Sequence, residues 1–259
     1  MATMTRSDQY MLIDDLVLHH ILTYACLHES DVVLEIGAGT GILTEKLAEH
    51  AGMVIAIESD TTMARSLTTR FKDTGTGACV VEVVHGNALK IEFSQFTWFN
   101  KVVSNLPYSI SSKITFKLLE HPFEEAILMY QYEFARRLAA SHGSKDYGKL
   151  SICVQYLADV ELLEIVPPTA FSPQPGVRSA IVRLTPRAPE YEVADRNFFS
   201  RFLTAVFSQR RKKLKNSIAA FTSIKDVELP EDLLNMRPEE LPAARLAEIS
   251  DVLYHHQRD

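Results

Sequence analysis

Cysteine is scarce in this chain. Of 259 residues only three are cysteine, Cys26, Cys79 and Cys153, and their separations fit neither metal nor redox spacing. That excludes a disulfide framework and a cysteine-built zinc site, and it predicts three small buried hydrophobes. No metal site is expected. No apolar run approaches the roughly 20 residues needed to span a bilayer. The opening MATMTRSDQYMLIDD lacks the charged-then-apolar order of a secretory leader, which predicts a cytoplasmic protein. Positive charge is not in excess either. Lys and Arg number 27 against 33 Asp and Glu, a net charge of −6, which argues against wholesale nucleic-acid binding but not against a local basic patch. Repeats and low-complexity tracts are lacking too.

What is there is globular. The chain is 46% hydrophobic and 23% charged, enough for one substantial core with a small appendage. Residues 13–27 pattern as an amphipathic helix. Strand-like runs fall at 31–36, 53–58, 80–85, 101–104, 126–130, 151–156 and 179–184. Helical stretches separate several of them, as at 42–50 and 61–71. Strands alternating with helices predict a mostly parallel sheet covered on both faces, an α/β fold of Rossmann-like type. After Thr185-Pro186-Arg187-Ala188-Pro189 the pattern becomes helical. The expected division is therefore a domain over 1–187 and a small helical domain over 188–259.

The segment VLEIGAGTGILTEKL is a strand, a Gly-rich turn and a helix start. Gly37, Gly39 and Gly41 allow positive φ and close approach of backbone to a ligand. Glu58 ends the next strand about 20 residues on, where an acid can accept from both hydroxyls of a ribose. NAD enzymes share that acid. The turn here reads E-x-G-x-G-x-G with Glu35 ahead of it, unlike the G-x-G-x-x-G pyrophosphate fingerprint. A cofactor without pyrophosphate suits it better, and S-adenosylmethionine is one. Asn87, just past the third strand, is placed to meet the cofactor's adenine.

The quartet Asn105-Leu106-Pro107-Tyr108 follows the fourth strand and is the most specific signal in the chain. An exocyclic adenine amine is a poor nucleophile because its lone pair is delocalised into the ring. The Asn105 side-chain oxygen and the Pro107 carbonyl can accept its two hydrogens and favour the pyramidal, nucleophilic form. Tyr108 can stack on the base. Proline stiffens the loop, so the acceptors are in place beforehand and positioning carries most of the work. No covalent enzyme intermediate is required.

With these motifs in register, the chain resembles the KsgA-type ribosomal RNA adenine dimethyltransferases, in particular their archaeal and eukaryotic branch. The likeness runs over about residues 8–220. It includes Gln9-Tyr10-Met11-Leu12, EIGAGTG, AIESD, VVHGNALK, SNLPYSISS, LMYQYEFARRL, KDYGKLS, VPPTAFSPQPGVRSAIVRL and FSQRRKKLKNS. The resemblance implies a class I methyltransferase sheet and a cofactor site at Tyr10, Leu12, Gly37, Glu58, Asn87 and Asn105. It implies transfer of two methyl groups to N6 of each of two neighbouring adenosines near the 3′ end of small-subunit rRNA. It also implies that Phe171 stacks on the target adenine opposite Tyr108, that the substrate is an assembling small ribosomal subunit, and that the enzyme is a monomer. The chain departs from the family pattern at Asn87, where Asp is usual, at Tyr10, where Asn or His is usual, and at Met11, where Phe is usual. An amide at 87 keeps an acceptor but loses the charge, which predicts weaker cofactor binding.

One local patch offsets the acidic whole. Gln209–Asn216 carries five cations, Arg210, Arg211, Lys212, Lys213 and Lys215, and no acid. It reads as the start of a helix and as the place where rRNA phosphates are neutralised, with Arg136, Arg137, Lys145 and Lys149 as possible extensions. From Asp226 onward there are nine acids against three arginines, so the tail is expected to face protein or solvent. Three other readings stand beside the main one: a non-catalytic ribosome-assembly factor on the same fold, a resistance methyltransferase acting on large-subunit rRNA, and an NAD enzyme.

Overall fold

The computed structural model describes residues 10–72, 79–96, 98–222 and 229–257. Gln9 of the first motif and the head of the acidic tail, 226–228, lie outside the described residues. The chain divides into two compact units. One comprises Met1–Ala135 and Asp159–Pro186, the other Arg136–Ala158 and Arg187–Asp259. A division falls next to residue 187, and segment 136–158, expected in the first piece, groups with the second.

The first unit opens with β1 (Met11–Leu12) and α1 (Asp15–Ala25). The Asp14 carboxylate starts α1 by accepting from the amides of Leu16 and Val17 at 2.9 and 3.2 Å. Val17, Leu18, Ile21 and Ala25 form its buried stripe. Cys26 caps the helix with φ 45°. It lies past that stripe and is exposed, contrary to the expected burial; Cys79 is buried and Cys153 half-buried, and all three are free thiols.

β2 (Val32–Ile36), α2 (Ile42–Ala48), β3 (Met53–Glu58), α3 (Thr61–Phe71), β4 (Val80–His85), β5 (Lys101–Asn105), α4 (Ser111–Leu119) and β6 (Glu125–Gln131) follow in alternation. α5 (Tyr132–Leu138) leads into the second unit, where α6 (Lys149–Gln155) lies. β7 (Ala158–Val166), β8 (Phe171–Ser172) and β9 (Ser179–Pro186) belong to the first. Seven strands form one sheet in the order β4-β3-β2-β5-β6-β9-β7, and β1 pairs with β8 apart from it. The pairings among β4, β3, β2, β5 and β6 are parallel, and β9 runs antiparallel to β6. β2 and β3, VVLEI and MVIAIE, are apolar nearly throughout because both faces of a central parallel strand are covered.

The run SICVQY, expected as a strand, lies largely in helix α6. Its β-branched and aromatic content suggested extension, but tertiary bonds hold it otherwise. Ser151 Oγ donates to the Arg137 carbonyl at 2.6 Å, and Gln155 Nε2 donates to the carbonyls of Leu138 and Ala140 at 2.6 and 3.0 Å. The strand is the next segment, β7. There Ala158, Val160, Leu162 and Val166 turn away from solvent while Asp159, Glu161 and Ile165 face it, a period of two.

The sheet parts at its centre. β2 pairs with β5 only at Val33–Lys101 and Leu34–Val102. Beyond that register the Ile36 amide is taken by the Ser104 hydroxyl, at 2.9 Å and fully buried. The chain leaves β2 toward β3 on one side and leaves β5 toward β6 on the other, so strand order reverses here. In open α/β sheets a ligand crevice forms at such a point, outside the carboxyl ends of the strands. Beneath it sits Glu35, 2% exposed, whose carboxyl accepts from Thr44 Oγ1 at 2.6 Å. Burial pushes its pKa up to about 8, the Thr44 hydroxyl pulls it down, and the Glu58 charge adds to the rise.

The second unit holds α6, α7 (Arg196–Ser208), α8 (Leu214–Phe221), α9 (Glu231–Asn235) and α10 (Ala243–His256). Phe198, Phe202 and Val206 of α7 pack with Leu214 and Ile218 of α8 and with Leu246, Ile249 and Leu253 of α10. The spacing of these residues, mostly three or four apart, puts one apolar stripe on each helix.

Two predictions follow from the buried polar groups under the crevice. Ser104→Ala leaves the Ile36 amide buried without an acceptor and should destabilise the fold by about 1–3 kcal/mol, read as a lower urea midpoint at unchanged m. Glu35 titrates near 8 in the folded chain against an ordinary value of 4.5, so the native state holds a proton that the unfolded chain has lost. Stability should therefore fall as pH rises from about 4.5 to about 8. Glu35→Gln should flatten that fall and exceed the parent chain at pH 8; urea melts across the window that stay parallel for the two would remove Glu35 as its source.

Candidate active site

Two loops meet where β2 and β5 part. The first, Gly37 to Gly41, has φ of 79°, 58° and 82° at Gly37, Gly39 and Gly41, values that L side chains rarely adopt. A Cβ on Gly37 would stand 3.1 Å from Cδ of Pro107, so glycine is what lets the two loops touch. A Cβ on Gly39 would stand 3.0 Å from the Met11 sulfur. Gly41 faces elsewhere. A Cβ there would lie 2.5 Å from Leu67 Cδ2, which makes Gly41 the packing point of α2 on α3.

The first loop's amides are largely used. Those of Gly37 and Ala38 donate to the Ile57 carbonyl at 2.8 and 3.2 Å. The Gly39 amide donates to Glu58 Oε2 at 2.8 Å. Glu58 is 4% exposed, and its Oε1 accepts from the Asp60 amide at 2.7 Å. A carboxylate offers about four lone-pair positions, so Glu58 retains acceptor capacity toward the cleft it lines. Asp60 in turn caps α3, accepting from the amides of Thr62 and Met63 at 2.8 and 2.9 Å. That cap sets Met63 on the cleft wall beside Glu58 and Ser59.

The second loop runs from Asn105 to Tyr108. Asn105 Nδ2 donates to the Tyr10 carbonyl at 3.1 Å, which ties the N-terminal segment across the cleft. Its Oδ1 has no protein donor among the described residues. The Pro107 carbonyl accepts from the Ile110 amide at 3.2 Å and keeps its other lone pair. Leu106 is 2% exposed and anchors the loop. The Tyr108 ring lies 5.4 Å from that of Tyr10 at an interplanar angle of 33°, and its hydroxyl is 2.6 Å from Ser179 Oγ. Burial pushes the Tyr108 phenol up, so it stays neutral.

The expected site residues thus come together in part. Tyr10, Gly37, Gly39, Glu58, Asn105, Leu106, Pro107 and Tyr108 line one cleft. Leu12 lines an adjoining recess with Met11, Glu35, Gly37 and Asn105. Three residues stand elsewhere, the first being Gly41, which packs α2 on α3. Asn87 is exposed and outside the cleft lining, with its Oδ1 accepting from the Leu89 amide at 2.9 Å in a turn of its own. Phe171 is 1% exposed; β8 pairs it with Leu12 and seats it in the apolar core, so it offers no face to a base in this structure. Sequence reasoning did not single out Ser59, Met63, Ser104 or Ser179 as functional. The AIESD run contained the only local signal, an acid placed to cap the next helix. Among the described residues no cluster of His, Cys, Asp and Glu could hold a metal, and no helix is long and apolar enough to cross a membrane.

The basic stretch lies in the second unit. It is mostly the connection between α7 and α8 rather than helix, since α8 begins at Leu214. Arg210 donates to the Lys145 carbonyl at 2.7 Å, and Lys213 donates to Asn235 Oδ1 at 3.1 Å. Arg211, Lys212 and Lys215 are exposed and form no ion pair among the described residues. Arg136 is paired with Asp146, and Lys149 donates to Thr204 Oγ1 at 2.7 Å.

The sequence model of ribosomal RNA adenine dimethylases matches residues 3–254. The probable ribosomal RNA small subunit methyltransferase A of Methanosarcina barkeri is 48% identical over 94% of this chain and 85% of its own length. That of Halobacterium salinarum is 44% identical over 95% and 89%. Among solved structures, a dimethyladenosine transferase from Plasmodium falciparum aligns with TM-score 0.77 at 29% identity, over 96% of this chain and 98% of that one. The 23S rRNA methyltransferase ErmE aligns with TM-score 0.68 at 28% identity, over 93% and 99%. On these similarities, carried across nearly the whole sequence, the chain belongs to the ribosomal RNA adenine dimethylase family.

Proposed function

We propose that this chain transfers methyl groups from S-adenosylmethionine to N6 of two adjacent adenosines near the 3′ end of small-subunit rRNA, giving N6,N6-dimethyladenosine. The observation that carries the reading is the contact of the Gly37 turn with the Asn105–Tyr108 loop. It sets a cofactor cradle and a pair of amine acceptors at one cleft.

The cradle suits this cofactor. Amides of Gly37, Ala38 and Gly39 are taken by Ile57 and Glu58, so the turn presents no ring of free donors to a pyrophosphate. That favours a sulfonium cofactor over NAD. Glu58 would accept from ribose hydroxyls, Met63 would cover an apolar face, and Gly37 and Gly39 would let the ligand lie against backbone. When bound, S-adenosylmethionine supplies an activated methyl group. Asn105 Oδ1 and the Pro107 carbonyl accept the two N6 hydrogens and turn the nitrogen lone pair toward that methyl. Tyr108 stacks on the base. These groups act by holding geometry, which can be worth several orders of magnitude in rate.

The substrate is presented as RNA within an assembling small subunit, in the cytoplasm. Within the basic stretch, Arg211, Lys212 and Lys215 are exposed without an ion pair among the described residues, so this segment of the second unit contributes to the electrostatic part of recognition.

The deciding experiment supplies labelled S-adenosylmethionine to small subunits lacking the modification, with large subunits as control. Label recovered as N6,N6-dimethyladenosine in small-subunit rRNA is the expected result. Binding without transfer would favour the assembly-factor reading. Asn105→Ala should retain the fold and cofactor affinity within severalfold while losing at least about 100-fold in turnover; near-normal turnover would remove the amine-acceptor account. Replacing Arg211, Lys212 and Lys215 with Ala should reduce the slope of log affinity against log salt by about 2–3, and an unchanged slope would move the RNA surface elsewhere.

A further inference from the structure

Tyr108 is held from two directions. Tyr10 lies against its ring at 5.4 Å, and Ser179 bonds its hydroxyl at 2.6 Å. The two tethers differ in kind. Tyr10 belongs to the N-terminal segment just ahead of β1. Ser179 is the first residue of β9, is 0% exposed, and pairs with Gln131 at the end of β6. The same strand β6 pairs Met129 with Asn105. A single side-chain hydroxyl thus references Tyr108 to the central sheet, the frame in which Asn105 itself stands. Ser179 Oγ has no other side-chain partner among the described residues.

That tether has a different weight in the two transfers the proposed function requires. Each transfer forms the N6–CH3 bond as the S–CH3 bond breaks; the bonding pair stays on sulfur and an N6 proton passes to water. Unmodified adenine offers N6 two hydrogens, one for Asn105 Oδ1 and one for the Pro107 carbonyl. Monomethylated adenine offers one. Half of the polar hold on the amine is gone, while the stack on Tyr108 is unaltered. The second transfer therefore depends more on the ring being fixed. We propose that Ser179 is a positioning residue that, by fixing Tyr108, governs conversion of the monomethylated to the dimethylated adenosine. The inference rests on the proposed function and adds to it a residue and a step.

The test measures mono- and dimethyladenosine formed on unmodified small subunits over time, for the parent chain, Ser179→Ala, Tyr108→Phe, the double variant and Ser179→Thr. Ser179→Ala should slow the first transfer less than about threefold and the second about tenfold or more, so that monomethyladenosine accumulates. Tyr108→Phe keeps the ring and lacks the hydroxyl, so it should match. The double variant should be no worse than either single, as expected for one shared interaction. Ser179→Thr should restore the parent ratio. Unchanged melting and cofactor affinity in Tyr108→Phe keep the comparison meaningful if Ser179→Ala folds poorly. A parent-like product ratio in Tyr108→Phe, equal slowing of both transfers, or additive losses in the double variant would overturn the proposal. Failure of the parent chain to transfer any label would instead defeat the proposed function, and this inference with it.

Discussion

The parting of β2 from β5 is the constraint on which the site depends. A parallel ladder that continued past Leu34 and Val102 would consume the backbone groups at the strand ends and close the sheet. Here the ladder stops, and Ser104 takes the Ile36 amide, so the gap opens without leaving a buried donor unpaired. The two loops then leave side by side, and Gly37 lets Pro107 approach to contact distance. The cleft, the cradle and the amine acceptors all descend from that one interruption.

Charge is distributed accordingly. The cleft holds an acid, Glu58, whose oxygens are already bonded to backbone amides, so it is pre-oriented before any ligand arrives. Beneath it Glu35 is buried with a hydroxyl as its partner and a carboxyl shifted toward the neutral form. Placing two acids under one glycine turn is tolerable because one is pushed toward protonation and the other is held by amides. The densest run of cations sits in the other unit, where Arg211, Lys212 and Lys215 are exposed on the α7–α8 connection. An overall charge of −6 therefore conceals a basic segment, as local patterning suggested.

Much of this was legible in the residues because local and global preferences agree. The apolar runs of β2 and β3, the capped helix Thr61–Phe71 and the strand Val80–His85 fall where periodicity puts them. Legibility failed where distant atoms decide. SICVQY has strand composition and is largely helical because Ser151 and Gln155 bond carbonyls 14 to 17 positions away. β7 is a half-covered strand whose alternation is weak, with Leu163 partly covered on the outer side. Phe171, expected to stack on the target adenine, is drawn into the core by a two-residue pairing of β8 with β1. Asn87 turned out to serve its own turn, the local role open to any Asn after a strand.

The sequence by itself determined the fold class, the glycine turn, the acid that ends β3 and the Asn105–Tyr108 loop. Each is a property of consecutive residues, namely side-chain period, backbone freedom and donor chemistry. Tertiary structure alone decided which of these face one another and what holds them. Ser179 reaches Tyr108 across 71 positions, and Ser104 reaches Ile36 across 68. A serine has no periodic or compositional signature, and its hydroxyl becomes a tether only when folding brings a partner within hydrogen-bonding distance and excludes the water that would otherwise compete for it.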